Sequence, residues 1–409
     1  MSYDQESISL AIMFATKFMG YLELRTLQEQ VVKHFVGGRD VFVSFPSGGG
    51  KSQCYAILPL VFDFLQKKER EKQSLVIVVS PLIALIKDQV RSLRDHNVSA
   101  VYVNEEDQFS AVADMKYQLI FMSLETMLRR WGVRDMLLSH VFQENLVAVA
   151  IDEAHCVKKC LIPRGVNMMA LTATATVTTR KAICKTLGML DSVVVAESPN
   201  KPNIKYSVQH NPGTLEETFA PLVEKIRSHR QSLPRSIIFC RSYDSCSSIY
   251  LFMKSRLGRE MTEPMGTPDL PRFRLKDMFT WCTRLDIKES IIGSFCDPHR
   301  QLRVVISTVA FGMGLDCPNV GAVINWVLAE DAELYLQETG RAGRDGLPAN
   351  AVLYHGGPDL ITRNVYKDIK DYCGNKDICR RRLLLGLFHS SEEIGTSPQF
   401  PCCDVCDLL

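Results

Sequence analysis

The sequence predicts an α/β protein with two parallel sheets in tandem, and two patterns support that fold class. Short apolar runs that suit buried strands alternate with longer stretches that suit helices, which is typical of strands joined by crossover helices. This alternation occurs twice, and the turn-rich stretch at 198–203 separates the two series. We therefore expect a first domain at 1–198, a second at 199–362 and a small helical segment at 363–409.

The individual strands are predicted from short apolar, β-branched runs. They are Val41–Ser44, Leu75–Ser80, Leu119–Met122, Leu146–Ile151 and Met168–Thr172 in the first series, and Ser236–Cys240, Val304–Ser307, Ala322–Asn325 and Ala351–Tyr354 in the second. Helices are predicted at Ser52–Lys67, Leu82–Asp95 and Thr214–His229, and an irregular insertion is predicted at Leu257–Lys276.

The composition bounds the class of protein. The chain has 409 residues, of which 46% are hydrophobic, as in a globular protein with more than one core. Its net charge of +2 is compatible with nucleic acid binding, because a local basic groove can lie within a balanced total. No segment resembles a signal peptide or a membrane span. The 14 cysteines are therefore expected to be reduced thiols in cytosol or nucleus, with a metal site as a second role.

A glycine-rich segment after the first predicted strand suits phosphate binding. Such a turn lets backbone N–H groups point at phosphate oxygens, the lysine that follows reaches the β- and γ-phosphates, and the serine hydroxyl binds Mg²⁺. The strict pattern has glycine where this chain has Phe45, and the segment taken alone also fits an ordinary tight turn. The predicted nucleotide-binding set is Ser47, Gly48, Gly49, Gly50, Lys51 and Ser52.

An acidic segment, Asp152-Glu153-Ala154-His155, follows a later predicted strand. Asp152 would hold Mg²⁺ through water, and Glu153 would polarise the attacking water. Taken alone, this segment fits a helix N-cap with acidic first-turn residues equally well. The two segments in this order, each behind a strand, indicate a protein that hydrolyses Mg-ATP.

Later segments resemble the motifs of superfamily 2 helicases, and specifically of the RecQ family. The matching segments lie at 24–28, 80–89, 171–175, 307–316 and 337–346. The resemblance extends over roughly residues 15–409. It implies two RecA-like domains with ATP in the cleft between them, and an ATP-dependent DNA helicase that moves 3′ to 5′ along single-stranded DNA.

The resemblance also assigns roles at the nucleotide. Arg344 would be the arginine finger with Arg341 beside it, because a planar, permanently charged guanidinium can meet spread phosphoryl charge. A solvated basic turn is the alternative for both arginines. The other implied residues are Arg25 and Gln28 for adenine, Asp316 in the nucleotide-binding set, and His155 and Gln337 for coupling between the domains.

DNA is implied to run across both domains, held by hydroxyls and backbone N–H groups that bind phosphate without distinguishing sequence. Each of these positions taken singly also suits a helix cap or a turn. The candidates are Ser80, Ser123, Ser242 and Thr308.

Cysteines near the end of the chain resemble the zinc-binding segment of the family. Cys403 and Cys406 have the C-x₂-C spacing of a tetrahedral thiolate site, and Cys379 is the third ligand. Cys402 and Cys373 are both candidates for the fourth, with Cys402 favoured by order although adjacent residues rarely aim at one ion. Free thiols are the alternative. The arginines at 380–382 suit either a backbone-binding patch or a solvated helix face.

Three departures from the family pattern set further expectations. Residues 156–170 contain no aromatic side chain where the family has an aromatic-rich loop and a helix, so we expect a partly bare sheet face and weak stimulation of ATP hydrolysis by DNA. Phe279 and Trp281 occupy a family histidine segment, with core packing favoured over base stacking. The chain stops at Leu409, without the family's winged helix.

These expectations rank three functions. A RecQ-type DNA helicase in the nucleus leads, with ATP, Mg²⁺ and Zn²⁺ as cofactors and DNA as partner. A DNA-dependent ATPase or translocase with impaired unwinding is second. A catalytically silent DNA-binding scaffold is third, because it would have no use for the retained ATP-site residues.

Overall fold

The computed structural model describes residues 3–46, 48–68, 73–81, 83–103, 112, 116–129, 136–137, 139–156, 165–189, 191–211, 213–308, 311, 317–361, 365–388 and 402–408. The chain divides into two compact units, Met1–Ser198 and Pro199–Leu409. Each unit is built on one parallel sheet, so the predicted α/β class with two tandem parallel sheets is confirmed. None of the helices in the described ranges is both long and apolar enough to cross a membrane.

The first unit contains a seven-stranded sheet in the order β3-β4-β2-β5-β6-β1-β7. Because parallel strands all point the same way, the carboxyl ends of neighbouring strands meet at one edge, where open α/β sheets bind ligands. The strands are β1 (Val41–Ser44), β2 (Leu75–Val79), β3 (Ala100–Tyr102), β4 (Leu119–Met122), β5 (Leu146–Ile151), β6 (Met168–Thr172) and β7 (Val193–Ala196). The helices are α1 (Gln5–Phe18), α2 (Thr26–Val36), α3 (Lys51–Ala56), α4 (Leu58–Gln66), α5 (Ile83–Asp95), α6 (Leu124–Arg129), α7 (His140–Asn145) and α8 (Val177–Leu187).

The expectation of a partly bare sheet face at β5 and β6 is wrong. All of β6 is buried, as is β5 apart from a half-buried Val147. Phe142 of α7 and Ile183 and Leu187 of α8 belong to the core on this face. The described part of the β5–β6 crossover contains one 3₁₀ turn, Ala154–Cys156, and 157–164 lie outside the described residues. Helices that lie outside the β5–β6 crossover therefore cover these strands.

The second unit contains a six-stranded sheet in the order β10-β11-β9-β12-β13-β8. Its strands are β8 (Ile204–His210), β9 (Arg235–Cys240), β10 (Lys276–Phe279), β11 (Val304–Ser307), β12 (Val320–Trp326) and β13 (Ala349–His355). Its helices are α9 (Leu215–His229), α10 (Tyr243–Leu257), α11 (Leu285–Cys296), α12 (Ala332–Thr339), α13 (Gly357–Ile361), α14 (Lys367–Gly374) and α15 (Arg380–Leu385). The predicted irregular insertion lies between α10 and β10 and consists of turns with two short 3₁₀ segments.

The C-terminal residues pack on the second unit rather than apart from it. Cys403 pairs with Tyr206 of the edge strand β8 in a parallel bridge. The Tyr206 N–H donates to the Cys402 carbonyl at 3.2 Å, and the Asp404 N–H donates to the Tyr206 carbonyl at 3.1 Å. These bonds occupy backbone groups that an open sheet edge would leave exposed.

Candidate functional site

The turn between β1 and α3 requires glycine at two positions. Gly50 has a φ of +76°, and a Cβ there would lie 2.2 Å from Gln28 Nε2. A Cβ on Gly49 would lie 2.9 Å from both Phe45 Cβ and the Pro46 carbonyl oxygen. Any larger residue at these positions would have to displace the turn, and Gly48 also has a positive φ, of +84°. Ser47 lies outside the described residues.

Gln28 connects this turn to the first turn of α2. Its Nε2 donates to the Gly50 carbonyl at 3.0 Å, and its Oε1 accepts from the Arg25 N–H at 2.9 Å. The side chain is buried, so its position is fixed on both sides. A primary amide has two N–H donors and two acceptor lone pairs, so one of each remains available for a ligand.

Lys51 and Ser52 begin α3 directly after the glycine turn. The Lys51 ammonium donates to the Phe45 carbonyl at 3.0 Å and so folds back over the turn. Ser52 Oγ accepts from Gln89 Nε2 at 3.0 Å, and Gln89 Oε1 accepts from the Tyr55 hydroxyl at 2.9 Å. Gln89 lies on α5, so a third element orients the Ser52 hydroxyl. The sequence alone assigned Gln89 no role at the nucleotide, and only the fold reveals this bond.

Asp152, which is buried, and Glu153, which is half-buried, form an acidic pair at the carboxyl end of β5. Burial raises the pKa of Asp152 to about 7, with Glu153 adding to the rise and Lys51 opposing it. Glu153 has a φ of +49°, a strained conformation for a glutamate. Its Oε2 is buried and accepts no hydrogen bond from the described residues, although His155 Nδ1 lies 3.5 Å away. Two adjacent carboxylates with little exposure to solvent, beside one lysine, suit a hard divalent cation such as Mg²⁺.

A hydrogen-bonded path leads from the acidic pair back to the glycine turn. His155 Nδ1 lies 3.1 Å from Thr172 Oγ1, which donates to the Thr174 carbonyl at 3.0 Å. The Phe45 N–H donates to the Thr172 carbonyl at 3.2 Å. The end of β6 therefore contacts both the acidic segment and the glycine turn. The predicted coupling role of His155 stays a prediction, and Thr172 is its structural partner.

The second unit places Gln337, Arg341 and Arg344 at the end of α12 and in the turn that follows it. Gln337 and Arg344 are half-buried and Arg341 is buried, so the alternative of a solvated basic turn does not hold for Arg341. Asn203 fixes this turn, because its Nδ2 donates to the Gly343 carbonyl at 2.8 Å and to the Leu347 carbonyl at 2.7 Å. Asp316 lies outside the described residues.

The hydroxyl residues proposed for DNA differ in what they do locally. Ser123 Oγ accepts from the Thr126 N–H at 3.2 Å, and Ser242 Oγ accepts from the Ser245 N–H at 3.1 Å. Both therefore serve as helix caps, although Ser242 is exposed. The Ser80 hydroxyl is buried and does not face solvent. Thr308 is half-buried at the end of β11.

Four cysteines form the only cluster of metal-ligating side chains found within the described ranges. The thiol sulfurs of Cys379, Cys402, Cys403 and Cys406 all lie within 4.8 Å of one another. A tetrahedral zinc–thiolate site places its sulfurs about 3.8 Å apart, so the set fits zinc. The backbone N–H of Cys406 donates to Cys403 Sγ at 3.4 Å, which stabilises a thiolate. Cys373, the alternative ligand, lies in the apolar core of the unit.

Arg380 and Arg381, beside the cluster, are both buried. The two alternatives from the sequence, a backbone-binding patch and a solvated helix face, therefore do not apply to them. Arg380 pairs with Asp404 and donates to the Tyr372 carbonyl at 2.9 Å. Arg381 Nε donates to Cys402 Sγ at 3.2 Å. Arg382 alone of the three is exposed.

Comparisons with known proteins agree with this geometry. A DEAD/DEAH box helicase family matches residues 25–183, and a helicase conserved C-terminal domain matches residues 217–346. The ATP-dependent DNA helicase RecQ of Pasteurella multocida is 30% identical over 424 residues, which cover 95% of this chain and 60% of that protein. The RecQ of Haemophilus influenzae is 29% identical, over 95% of this chain and 62% of that protein. Over 95% of its length, the chain is therefore similar to bacterial RecQ DNA helicases.

The chain spans only part of the length of these relatives. The chain spans 60% and 62% of the two bacterial RecQ proteins, and 30% of the Schizosaccharomyces pombe DNA helicase hus2/rqh1, to which it is 27% identical. The helicase MrfA bound to DNA and AMPPNP has a TM-score of 0.66 at 14% identity, over 91% of this chain and 52% of that one. Dbp5 of S. cerevisiae bound to RNA and ADP BeF3 has a TM-score of 0.64 at 16% identity, over 91% of this chain and 93% of that one. These structures share the RecA-like fold.

Sequence reasoning missed one ionisable group in the RecQ-like segment of the second unit. Glu338 is buried on α12, and the Asn325 amide donates to its Oε2. Burial raises the pKa of Glu338 to about 7, against the lowering effects of Asn325, Arg341 and Arg241. The sequence around Glu338 did not indicate that it is buried, because burial of a helical glutamate depends on the neighbouring strand β12.

We expect Glu338→Gln to flatten the pH dependence of stability. A native pKa above the ordinary value means that the folded protein binds a proton that the unfolded chain has released, so stability falls as pH rises from about 4.5 to about 7. The loss amounts to at most about 3 kcal/mol, and glutamine removes it. Denaturant unfolding across this range measures the change. Glu289→Gln, at an exposed glutamate of α11, should keep the wild-type slope, and an unchanged slope in Glu338→Gln would contradict the burial argument.

Gly50→Ala should weaken nucleotide binding by about 10- to 100-fold, because it adds backbone strain and a clash with Gln28. Gly188→Ala is the matched control, since Gly188 has a φ of +73° and no atom near its Cβ position. That variant should lose stability and keep nucleotide affinity. Titration with a fluorescent ATP analogue, below the unfolding temperature of both variants, separates the two effects. Equal affinities would contradict the steric role of Gly50.

The cysteine cluster should bind about one zinc ion per chain. Cys406→Ser, at an exposed ligand, should lower the zinc content and the thermal unfolding temperature, because tetrahedral thiolate sites contribute folding energy. Cys282→Ser, at an exposed cysteine outside the cluster, should change neither quantity. Elemental analysis of protein purified without chelators gives the content, and a zinc content near zero in the wild type would rule the site out.

Proposed function

We propose that this chain is an ATP-dependent DNA helicase of RecQ type that couples Mg-ATP hydrolysis to 3′-to-5′ movement on single-stranded DNA and to duplex unwinding. The observation that carries the proposal is the grouping of Lys51, Ser52, Asp152 and Glu153 at one edge of the first sheet. The named relatives are DNA helicases, and the MrfA structure contains DNA. Nuclear location follows from the DNA role and from the presence of eukaryotic relatives.

The glycine turn and α3 would bind the phosphates. Among the described residues, the Lys51 ammonium donates to a backbone carbonyl in its own turn and is in no ion pair, so it can turn to a phosphate. Backbone N–H groups at the start of α3 add a positive helix end. Arg25 and Gln28 would recognise adenine, since Gln28 keeps one donor and one acceptor free of its two bonds to protein.

Ser52 and Asp152 would hold Mg²⁺, which supplies charge neutralisation at the phosphates when bound. Gln89 positions the Ser52 hydroxyl, and burial between β2 and β6 positions Asp152. Glu153 would orient and polarise the attacking water, because its Oε2 accepts no hydrogen bond from the described residues. His155 Nδ1 lies 3.5 Å from the same Glu153 oxygen.

The second unit would contribute positive charge to the same reaction. Arg344 would act as the arginine finger with Arg341 beside it, and Gln337 would couple hydrolysis to movement. The turn that carries both arginines is fixed by Asn203, so their backbone needs little further ordering to act. Zn²⁺ at the cysteine cluster would have a structural role, because all four protein ligands are present and a structural zinc site is closed.

Two substitutions test the proposed ATPase. Lys51→Ala should lower ATP turnover by about 100-fold or more and weaken nucleotide binding, because it removes a cation at the phosphates. Arg344→Ala should lower turnover by about 1,000-fold or more and leave nucleotide binding nearly unchanged, because an arginine finger acts on the transition state. Turnover is measured with and without single-stranded DNA. Lys17→Ala and Arg300→Ala change exposed cations outside the site and serve as matched controls.

The outcomes separate the candidate functions. Unchanged turnover in Lys51→Ala would show that the active-site assignment is wrong. Opening of a forked duplex with a 3′ tail supports the helicase, whereas DNA-stimulated turnover without opening identifies a translocase with impaired unwinding. That second function is favoured by the short β5–β6 crossover, whose described part has only one helical turn. A wild-type chain that binds DNA and no nucleotide would be a scaffold.

A further inference from the structure

Trp281 is unusual among the described aromatic residues, because 75% of its surface is exposed to solvent. An exposed tryptophan leaves a large apolar surface in contact with water. Tryptophan is also enriched at binding interfaces, so this exposure suggests that the ring meets a ligand. Trp281 is the second residue after the end of β10, at the carboxyl edge of the second sheet. Sequence reasoning favoured core packing for both Phe279 and Trp281. That expectation holds for Phe279, which is buried against Phe311, and is wrong for Trp281.

The turn that presents Trp281 is fixed by hydrogen bonds between the residues before and after it in the chain. The Thr280 N–H donates to Thr283 Oγ1 at 2.9 Å, and the Thr283 N–H donates to the Thr280 carbonyl at 3.1 Å. Lys288 of α11 donates to the Trp281 carbonyl at 3.1 Å. The backbone that carries the exposed ring is therefore ordered before any ligand arrives, which lowers the entropic cost of binding.

The neighbouring strand ends present groups that suit a nucleic acid strand. In the order β10-β11-β9, β11 is followed by Thr308, and β9 is followed by Arg241, Ser242 and Tyr243. Arg241 and Ser242 are exposed, and 45% of the Tyr243 surface is exposed. Adjacent strands are about 4.8 Å apart, so aromatic faces, hydroxyls and a guanidinium lie along a strip about 10 Å wide.

We propose that Trp281 stacks on a base of single-stranded DNA whose backbone passes over the ends of β11 and β9. This inference rests on the proposed DNA-dependent function and names one contact that it requires. A base in duplex DNA has both faces covered by its neighbours, so a flat indole face selects an unstacked base. Stacking tolerates any sequence, because every base has a π face. Combined with Arg241 and the hydroxyls, it gives the mixture of stacking and phosphate contact typical of single-strand binding.

Three variants test the stacking contact in the full chain. Trp281→Ala should weaken binding to a fluorescein-labelled oligo(dT) strand by about 5- to 150-fold, the range for loss of one stacked base. Trp281→Phe keeps an aromatic face and should retain most of the affinity. Leu285→Ala is the matched control, because Leu285 is 77% exposed at the start of α11 and has no ring. Fluorescence anisotropy at one fixed salt concentration gives the affinities.

Two further readouts distinguish stacking from a general loss of structure. An oligonucleotide containing 2-aminopurine should lose fluorescence when it binds wild type or Trp281→Phe, and much less when it binds Trp281→Ala. The slope of log affinity against log salt concentration should be the same in wild type and Trp281→Ala, because no phosphate contact is removed.

Each failure has a distinct meaning. If the wild type binds oligo(dT) and Trp281→Ala binds and quenches equally well, the stacking inference is overturned and the proposed function stands. If the wild type turns over ATP and binds no oligo(dT), both the stacking inference and the DNA-dependent function are overturned. A loss of affinity in Leu285→Ala as large as in Trp281→Ala would assign the effect to apolar surface and not to the ring, and would likewise overturn the inference.

Discussion

A buried and a half-buried carboxylate, those of Asp152 and Glu153, lie side by side at the end of β5 and are the constraint around which the first unit is organised. Burial and the Glu153 carboxylate raise the pKa of Asp152 to about 7, and Lys51 opposes this rise. Such a pair is unfavourable without a cation, and Glu153 is also held at a φ of +49°. Strain and uncompensated charge at one point are maintained by the surrounding structure and are typical of a functional site.

Burial of Phe45 accounts for the replacement of the first glycine of the phosphate-binding pattern. Phe45 is only 1% exposed, and its side chain belongs to the apolar core of the first unit. Its backbone serves the turn, because its carbonyl accepts from Lys51 and its N–H donates to the Thr172 carbonyl. A large residue fits at this position because the turn uses its peptide groups. Gly49 and Gly50 have no such freedom, because neighbouring atoms occupy the space that a Cβ would need.

The sequence was sufficient to predict the strands whose local residue pattern matches their surroundings in the structure. The runs at β1, β4, β5, β6 and β11 were predicted with the bounds that the structure has, because central parallel strands are apolar on both faces. Strand β10 was missed because Lys276 and Asp277 interrupt its apolar pattern, although both are buried, with Lys276 donating to the Tyr250 carbonyl and Arg274 pairing with Asp277. Gln89 and Glu338 were missed as site residues because their hydrogen-bond partners, Ser52 and Asn325, lie on other elements. Packing of α7 and α8 over β5 and β6 was equally invisible to local pattern.

A connected set of contacts makes the cysteine cluster part of the support for the arginine turn of the second unit. All five N–H donors of Arg381 are used: Nε donates to Cys402 Sγ, and the two terminal nitrogens donate to Asn200 Oδ1 and to the carbonyls of Lys201, Pro202 and Ile204. The segment so held contains Lys201, which donates to the Gly340 carbonyl, and Asn203, which donates to the Gly343 carbonyl. Arg381 stands near the start of the helix that Cys379 caps. A metal that fixes the four thiols would therefore also fix the backbone that carries Arg341 and Arg344, so a closed structural site here would stabilise the segment for which we propose a catalytic role.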